Sequence, residues 1–160
     1  MSIVIYSDHE MKLTIFSDCA LRVLIFLAVS DGGLVSAREI ATRYDISVHH
    51  VAKAAKWLVR QGYVSATRGR GGGLKLADEP ENIMIGKVIR QAETGTGMVE
   101  CMRKRGTYCA IENSCGLAAI LDDARGSFYD TLDRYSLADA IANRSAIAEE
   151  LNLGKTLNTH

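Results

Sequence analysis

Apolar residues recur at helical spacing along most of this chain, and the breaks between them carry capping residues and glycine. Ala20, Leu24 and Leu27 share one face of a helix expected to start at Ser17 or Asp18 and run to about Ser30, where Asp31-Gly32-Gly33 ends it. Ser36-Ala37-Arg38-Glu39 has the form of a capping box: the serine oxygen takes the Glu39 amide and the glutamate reaches back. It predicts a second helix to about Tyr44. After the short turn Asp45-Ile46, Ser47 caps a third helix to about Gln61, closed by Gly62. Val48, Val51, Ala55 and Leu58 form its expected buried stripe; His49, His50, Lys53, Lys56 and Arg60 lie largely away from it. Two short helices joined by a tight turn, the second basic outside, make the helix-turn-helix pattern.

The period then changes. Tyr63-Val64-Ser65-Ala66-Thr67 has strand composition, and Leu74-Lys75-Leu76 can pair back against it. Between them Arg68-Gly69-Arg70-Gly71-Gly72-Gly73 makes a glycine-rich tip with two arginines, a wing. Ile85 to Glu93 reads as a fourth helix that buries Ile85, Val88 and Ile89, and residues 94–115 read as a polar loop. Leu117 to Tyr135 reads as a long helix with Leu117, Leu121, Ala124, Phe128, Leu132 and Tyr135 on one stripe. A solitary helix cannot bury such a stripe, so this one is expected to pack on the first domain and on a second copy of itself. Ser136 starts a short helix to about Ala142.

The expected fold is therefore mainly α: a winged helix-turn-helix with a two-stranded wing, plus a long C-terminal dimerisation helix. Residues 1–10 are read as an N-terminal extension, because Met11-Lys12-Leu13-Thr14 resembles a second protein start. Residues 11–80 form the DNA-binding domain, 81–151 the cysteine loop and dimerisation helices, and 152–160 a flexible tail.

Composition adds three points. The chain is 48% hydrophobic and 24% charged, the balance of a globular protein. Its zero net charge hides an asymmetry: residues 12–75 hold ten Lys/Arg against four Asp/Glu, and residues 77–160 hold nine against 13. A basic first half suits phosphate neutralisation. No apolar run is long enough to span a bilayer, and a basic start followed by a secretory apolar core is missing, so a cytoplasmic protein with no membrane partner is expected.

In a helix-turn-helix, first-turn side chains of the recognition helix reach base edges while its amides face phosphates. Ser47, His49, His50 and Lys53 occupy those positions; the bland alternative is a solvated helix face. Arg68 and Arg70 suit a narrow minor groove, whose negative potential attracts arginine. A phosphate-cradling nucleotide loop fits poorly, because Leu74-Lys75-Leu76 follows the glycines in place of a helix opening with Lys-Ser/Thr. Three of the four cysteines lie within 15 residues as Cys101-x7-Cys109-x5-Cys115. Thiolates favour iron–sulfur clusters or zinc, and zinc usually takes closer pairs than these. An iron–sulfur cluster, a zinc site and unligated redox thiols all remain open on spacing alone. Cys19 sits among apolar residues and reads as a buried, inert thiol. No C-x-x-C, paired carboxylates or serine–histidine constellation points to an enzyme.

The segment M-K-L-T-x-F-S-D-x-A-L-R (Met11 to Arg22), the R-G-x-G-G-G wing and three cysteines ahead of a long helix resemble the winged-helix iron–sulfur regulators typified by IscR, NsrR and RirA. The resemblance covers about residues 11–145. It implies a homodimeric repressor of a palindromic operator in double-stranded DNA, dimerised by the long helix. It implies an iron–sulfur cluster on Cys101, Cys109 and Cys115, and DNA contacts from Ser47, His49, His50 and Arg68. IscR-type proteins place a histidine three residues after the third cysteine to complete a [2Fe–2S] site; here that residue is Ala118. The NsrR type fits better. It implies a [4Fe–4S] cluster, with [2Fe–2S] as the alternative, the partner subunit's Asp18 as fourth ligand, and nitric oxide as signal. Tyr135-Ser136-Leu137-Ala138-Asp139 also looks like the NsrR tail. The first cysteine gap is longer than the NsrR type usually has and is shared with RirA-like iron sensors, so iron availability or redox stress is the alternative signal.

Overall fold

The computed structural model describes residues 12–95, 97–102 and 109–153. Its order is α1 (Ile15–Val29), α2 (Ala37–Tyr44), α3 (Val48–Gln61), β1 (Val64–Thr67), β2 (Gly73–Leu76), a 3-10 turn (Pro80–Asn82), α4 (Ile85–Ala92), a second 3-10 turn (Glu100–Met102), α5 (Leu117–Leu132), α6 (Leu137–Ala140) and α7 (Arg144–Glu150). Both the proposed extension 1–10 and most of the proposed tail lie outside the described residues.

Helix α1 is the axis of the core. Nine of its 15 residues are buried, which requires apolar side chains on nearly every face and explains its weak amphipathicity. Val23, Leu24 and Phe26 pack with Ile40 of α2, Val51, Ala54 and Leu58 of α3, and Ile83 and Val88 near α4. Leu137, Ile141 and Leu151 close the same core from the C-terminal side. Residues on both sides of position 80 therefore share one apolar interior.

Local signals set the helix-turn-helix. Ser36 Oγ accepts the Glu39 amide at 3.1 Å. Asp45 ends α2 in the left-handed region (φ 52°), and Gly62 ends α3 there (φ 82°), where glycine meets no Cβ penalty. β1 and β2 pair antiparallel with Val64 opposite Leu76 and Thr67 opposite Gly73. Val35 extends this wing by a bridge to Leu74, with N–H···O bonds of 3.0 and 2.8 Å in the two directions.

The structure corrects several boundaries. The N-cap of α1 is Thr14, whose Oγ accepts from Ser17 N; it is neither Ser17 nor Asp18. Ser17 lies inside the first turn, 1% exposed. Val48 does not join the buried stripe: as the first residue of α3 it is 47% exposed, and Ala54 joins Val51, Ala55 and Leu58 in its place. Ile85 is half-buried, and Gly86 fills the buried position beside Val88 and Ile89. The long helix stops at Leu132, leaving Tyr135 outside it and 53% exposed. The short helix after Ser136 ends at Ala140, held by a complete capping box in which Ser136 and Asp139 exchange bonds. Helix α7, capped by Asn143, was not legible in the pattern.

Helix α5 packs on α4, yet none of its 16 residues is buried. Arg90 ties the two helices by a 2.7 Å pair with Asp133, and its guanidinium lies 4.8 Å from the Tyr129 ring.

Candidate nucleic-acid interface and thiol segment

Ser47 precedes α3 in an extended conformation and makes no side-chain capping bond, so the first amides of α3 are left to other acceptors. Ser47, His49, His50 and Lys53 are all exposed on the N-terminal half of this helix. Lys53 is also anchored from behind: its Nζ lies 5.8 Å from the Phe16 ring, and Phe16 meets Trp57 edge-on at 5.4 Å. The start of α1 thus sets the seat of the recognition helix. Arg68 and Arg70 are exposed at the wing tip. A turn closes that tip through Gly72 N to Gly69 O at 3.0 Å, and a Cβ at Gly72 would fall 2.2 Å from Thr67 O. Strand β1 packs against α3, so the wing is seated on that helix.

All four cysteines are free thiols. Cys101 is exposed in the second 3-10 turn, while Cys109 and Cys115 are half-buried in the approach to α5. Residues 103–108 lie outside the described residues. Among the described residues, no three His, Cys, Asp or Glu side chains are gathered as they would be around a metal ion. Cys101, Cys109, Cys115 and Asp18 are therefore not brought together within one chain. The chemistry of the donors still fits an iron–sulfur core: three soft, uncommitted thiols come from one stretch, none of them sealed in the interior. Cys19 differs. It is 3% exposed, and burial, followed by the nearby Asp18 charge, pushes its thiol above its ordinary pKa, as expected of an inert cysteine.

Asp18 stands on the first turn of α1 and faces outward. Its side chain is 52% exposed and accepts from Arg22 Nε at 2.8 Å. The same Arg22 lies 5.5 Å from the Tyr44 ring of α2.

One residue that connects the two regions was missed. Glu93, at the C-cap of α4 and just ahead of the cysteine stretch, reaches the N-terminus of α1. Its Oε1 accepts from Thr14 N at 2.8 Å, from Thr14 Oγ at 2.9 Å, and from Ser17 Oγ. A hint was present in the sequence: a carboxylate at a helix C-terminus opposes the macrodipole and so calls for a specific partner.

The Rrf2 family model, described as an iron-dependent transcriptional regulator, matches residues 13–143. The chain is 42% identical over 143 residues to the HTH-type transcriptional regulator NsrR of Bacillus licheniformis, covering 89% of this chain and 100% of that protein. It is 41% identical over 144 residues to the NsrR of Bacillus subtilis, covering 89% and 99%. Among solved structures, T. potens IscR shares the fold at TM-score 0.63 and 24% identity, covering 91% of this chain and 94% of that one. CymR, the global cysteine regulator of B. subtilis, aligns at TM-score 0.63 and 24% identity, covering 84% of this chain and 98% of that one. With a family match over most of its length and relatives above 40% identity, this chain belongs to the Rrf2 family of transcriptional regulators.

Proposed function

We propose that this protein is a cytoplasmic, homodimeric repressor whose grip on a palindromic operator is set by an iron–sulfur cluster, of the [4Fe–4S] type, that responds to nitric oxide. Cys101, Cys109 and Cys115 hold the cluster, and the partner subunit's Asp18 supplies the fourth ligand. When bound, such a cluster supplies iron with affinity for nitric oxide. The protein's own part is to order the thiol segment and pass that order to the DNA-reading helices.

The observation that carries this reading is the route from the thiols to α3. Glu93 ties the base of the cysteine stretch to Thr14 and Ser17 at the start of α1. Phe16, between them, supports Lys53 and Trp57 of α3. Ordering or releasing the thiol segment therefore acts on the seat of the recognition helix. Ser47, His49, His50 and Lys53 read the major groove, and Arg68 and Arg70 enter the minor groove. The relatives' NsrR name and the family description support a repressor that uses iron.

Dimerisation finds support in α5. Leu117 and Ile120 are 50% and 66% exposed, and Leu121, Phe128 and Leu132 are only half-buried. A 16-residue helix with this much apolar surface suits pairing with a second copy. Pairing then sets the two recognition helices about 34 Å apart, one turn of DNA.

The second reading keeps the fold and changes the signal to iron availability or redox stress, favoured by the seven residues between Cys101 and Cys109. Anaerobic titration with nitric oxide and, separately, with an iron chelator distinguishes them, with operator binding followed by fluorescence anisotropy. The proposal expects stoichiometric nitric oxide to release the DNA while mild chelation leaves it bound. Release by chelator alone, with nitric oxide inert, would replace it with the second reading.

A further inference from the structure

The exposed face of α3 carries an apolar strip that the charged residues around it do not explain. Val48 is 47% exposed, and Ala52, one turn later on the same face, is exposed as well. Neither contributes to the buried set of α3, which is Val51, Ala54, Ala55 and Leu58. The strip runs beside His49, Lys53 and Lys56, all exposed, so its surroundings are basic. Such a patch suits neither a core nor an apolar partner protein. A DNA major groove is anionic at its walls, and its floor carries one apolar group, the thymine 5-methyl.

We infer that Val48 and Ala52 are specificity-determining residues that pack against thymine methyl groups in the operator, while His49 and Lys53 beside them take polar edges or phosphates. This inference rests on the DNA-binding reading above and sharpens it to a base preference. The geometry supports it in one further way. Residues 48, 49, 52 and 53 occupy the first two turns of the helix, the part that enters the groove end-on. An apolar and a polar pair lie side by side there. The apolar pair discriminates thymine from cytosine, which lacks the methyl and offers an amino donor in its place.

The test uses the cluster-loaded, full-length protein. Its preferred site is first selected from a pool of randomised duplex DNA under anaerobic conditions. Each thymine of that site is then replaced singly by deoxyuridine, which removes one methyl and leaves base pairing intact. Burying one methyl or methylene stabilises by an amount that corresponds to about a fourfold change in affinity. We expect at least one such loss of about fourfold in each half-site for the wild type. In the double variant Val48→Ser/Ala52→Ser that loss should disappear, and the salt dependence of binding should be unchanged because no phosphate contact is removed. Thermal unfolding of the double variant checks that it folds. A selected site whose thymine methyls are all dispensable overturns this inference alone, as does a methyl effect that persists in Val48→Ser/Ala52→Ser. A protein that selects no common sequence overturns the DNA-binding reading itself.

Discussion

Replacing Glu93 removes the acceptor on which three donors converge. Its Oε1 takes Thr14 N at 2.8 Å, Thr14 Oγ at 2.9 Å and Ser17 Oγ, joining residues 79 and 76 positions apart. Hydrogen bonds to a charged group contribute about 1.5–3 kcal/mol each, but three on one half-buried oxygen overlap, so their sum falls short of three times that. Glu93→Ala also strands the Ser17 hydroxyl, 1% exposed, with only Thr14 Oγ at 3.0 Å for company. The expected cost is about 3 kcal/mol. Glu93→Gln keeps an acceptor oxygen and gives up the charge, for about 1 kcal/mol. Urea unfolding of the metal-free protein, at one fixed protein concentration, reads both values. With a slope of about 2 kcal/mol/M, the alanine variant moves the midpoint down by about 1.5 M. Combining it with Ser17→Ala should recover about 1 kcal/mol or more of the sum of the single effects, the signature of a direct pair. An alanine midpoint within about 0.25 M of wild type, at unchanged slope, would refute the junction as a structural link.

Other consequences are more local. Gly86 of α4 faces the end of α5, where an added Cβ would lie 2.3 Å from Asp133 Oδ1 and 2.7 Å from its backbone nitrogen. Gly86→Ala gains helix propensity of about 1 kcal/mol but forces the helices apart, so we predict a net loss of about 1–2 kcal/mol by chemical denaturation; a stabilised variant would contradict the packing. Arg68→Ala and Arg70→Ala should each flatten the plot of log affinity against log salt by about one phosphate's worth, and an unaltered slope would remove the wing from the DNA. Two bonds from Ser136, its backbone N–H first and then its hydroxyl, hold the Asp139 carboxyl below the usual carboxylate range. A depressed folded pKa gives stability that is present above the ordinary value and lost as pH falls through the folded one. The melting-temperature gap between wild type and Asp139→Asn should therefore be widest near neutral pH and close in acid; a gap constant down to pH about 3 would rule out the carboxylate's role.

Features written by near neighbours were legible in the sequence. Ser36, Gly62 and the Arg-Gly run each act over a few residues, and they gave the helix-turn-helix and wing with small boundary errors. Features written by distant contacts were not. Thr14 is the cap of α1 because its own oxygen reaches Ser17, and Glu93 then reinforces that choice from 79 positions away. Val48 has the spacing of a core residue, yet at the first position of α3 it stays exposed. The stripe on α5 was visible, whereas its partial exposure depends on how little of α4 reaches it. For the site, the exposure of Ser47, His49, His50 and Lys53 followed from the pattern, since exposure on a short amphipathic helix follows from periodicity. The thiols could be identified by type and spacing, but their relation to α1 appears only through Glu93.

The central claim is that thiols in one segment control the hold of the recognition helices on DNA. Operator affinity of anaerobically prepared protein tests it most directly, measured at one salt concentration for wild type and for Cys101→Ser/Cys109→Ser/Cys115→Ser. The account predicts that the serine variant folds, carries no iron, binds the operator about tenfold more weakly or worse, and ignores nitric oxide. Equal affinity in the two proteins, with iron present in the wild type, would contradict it.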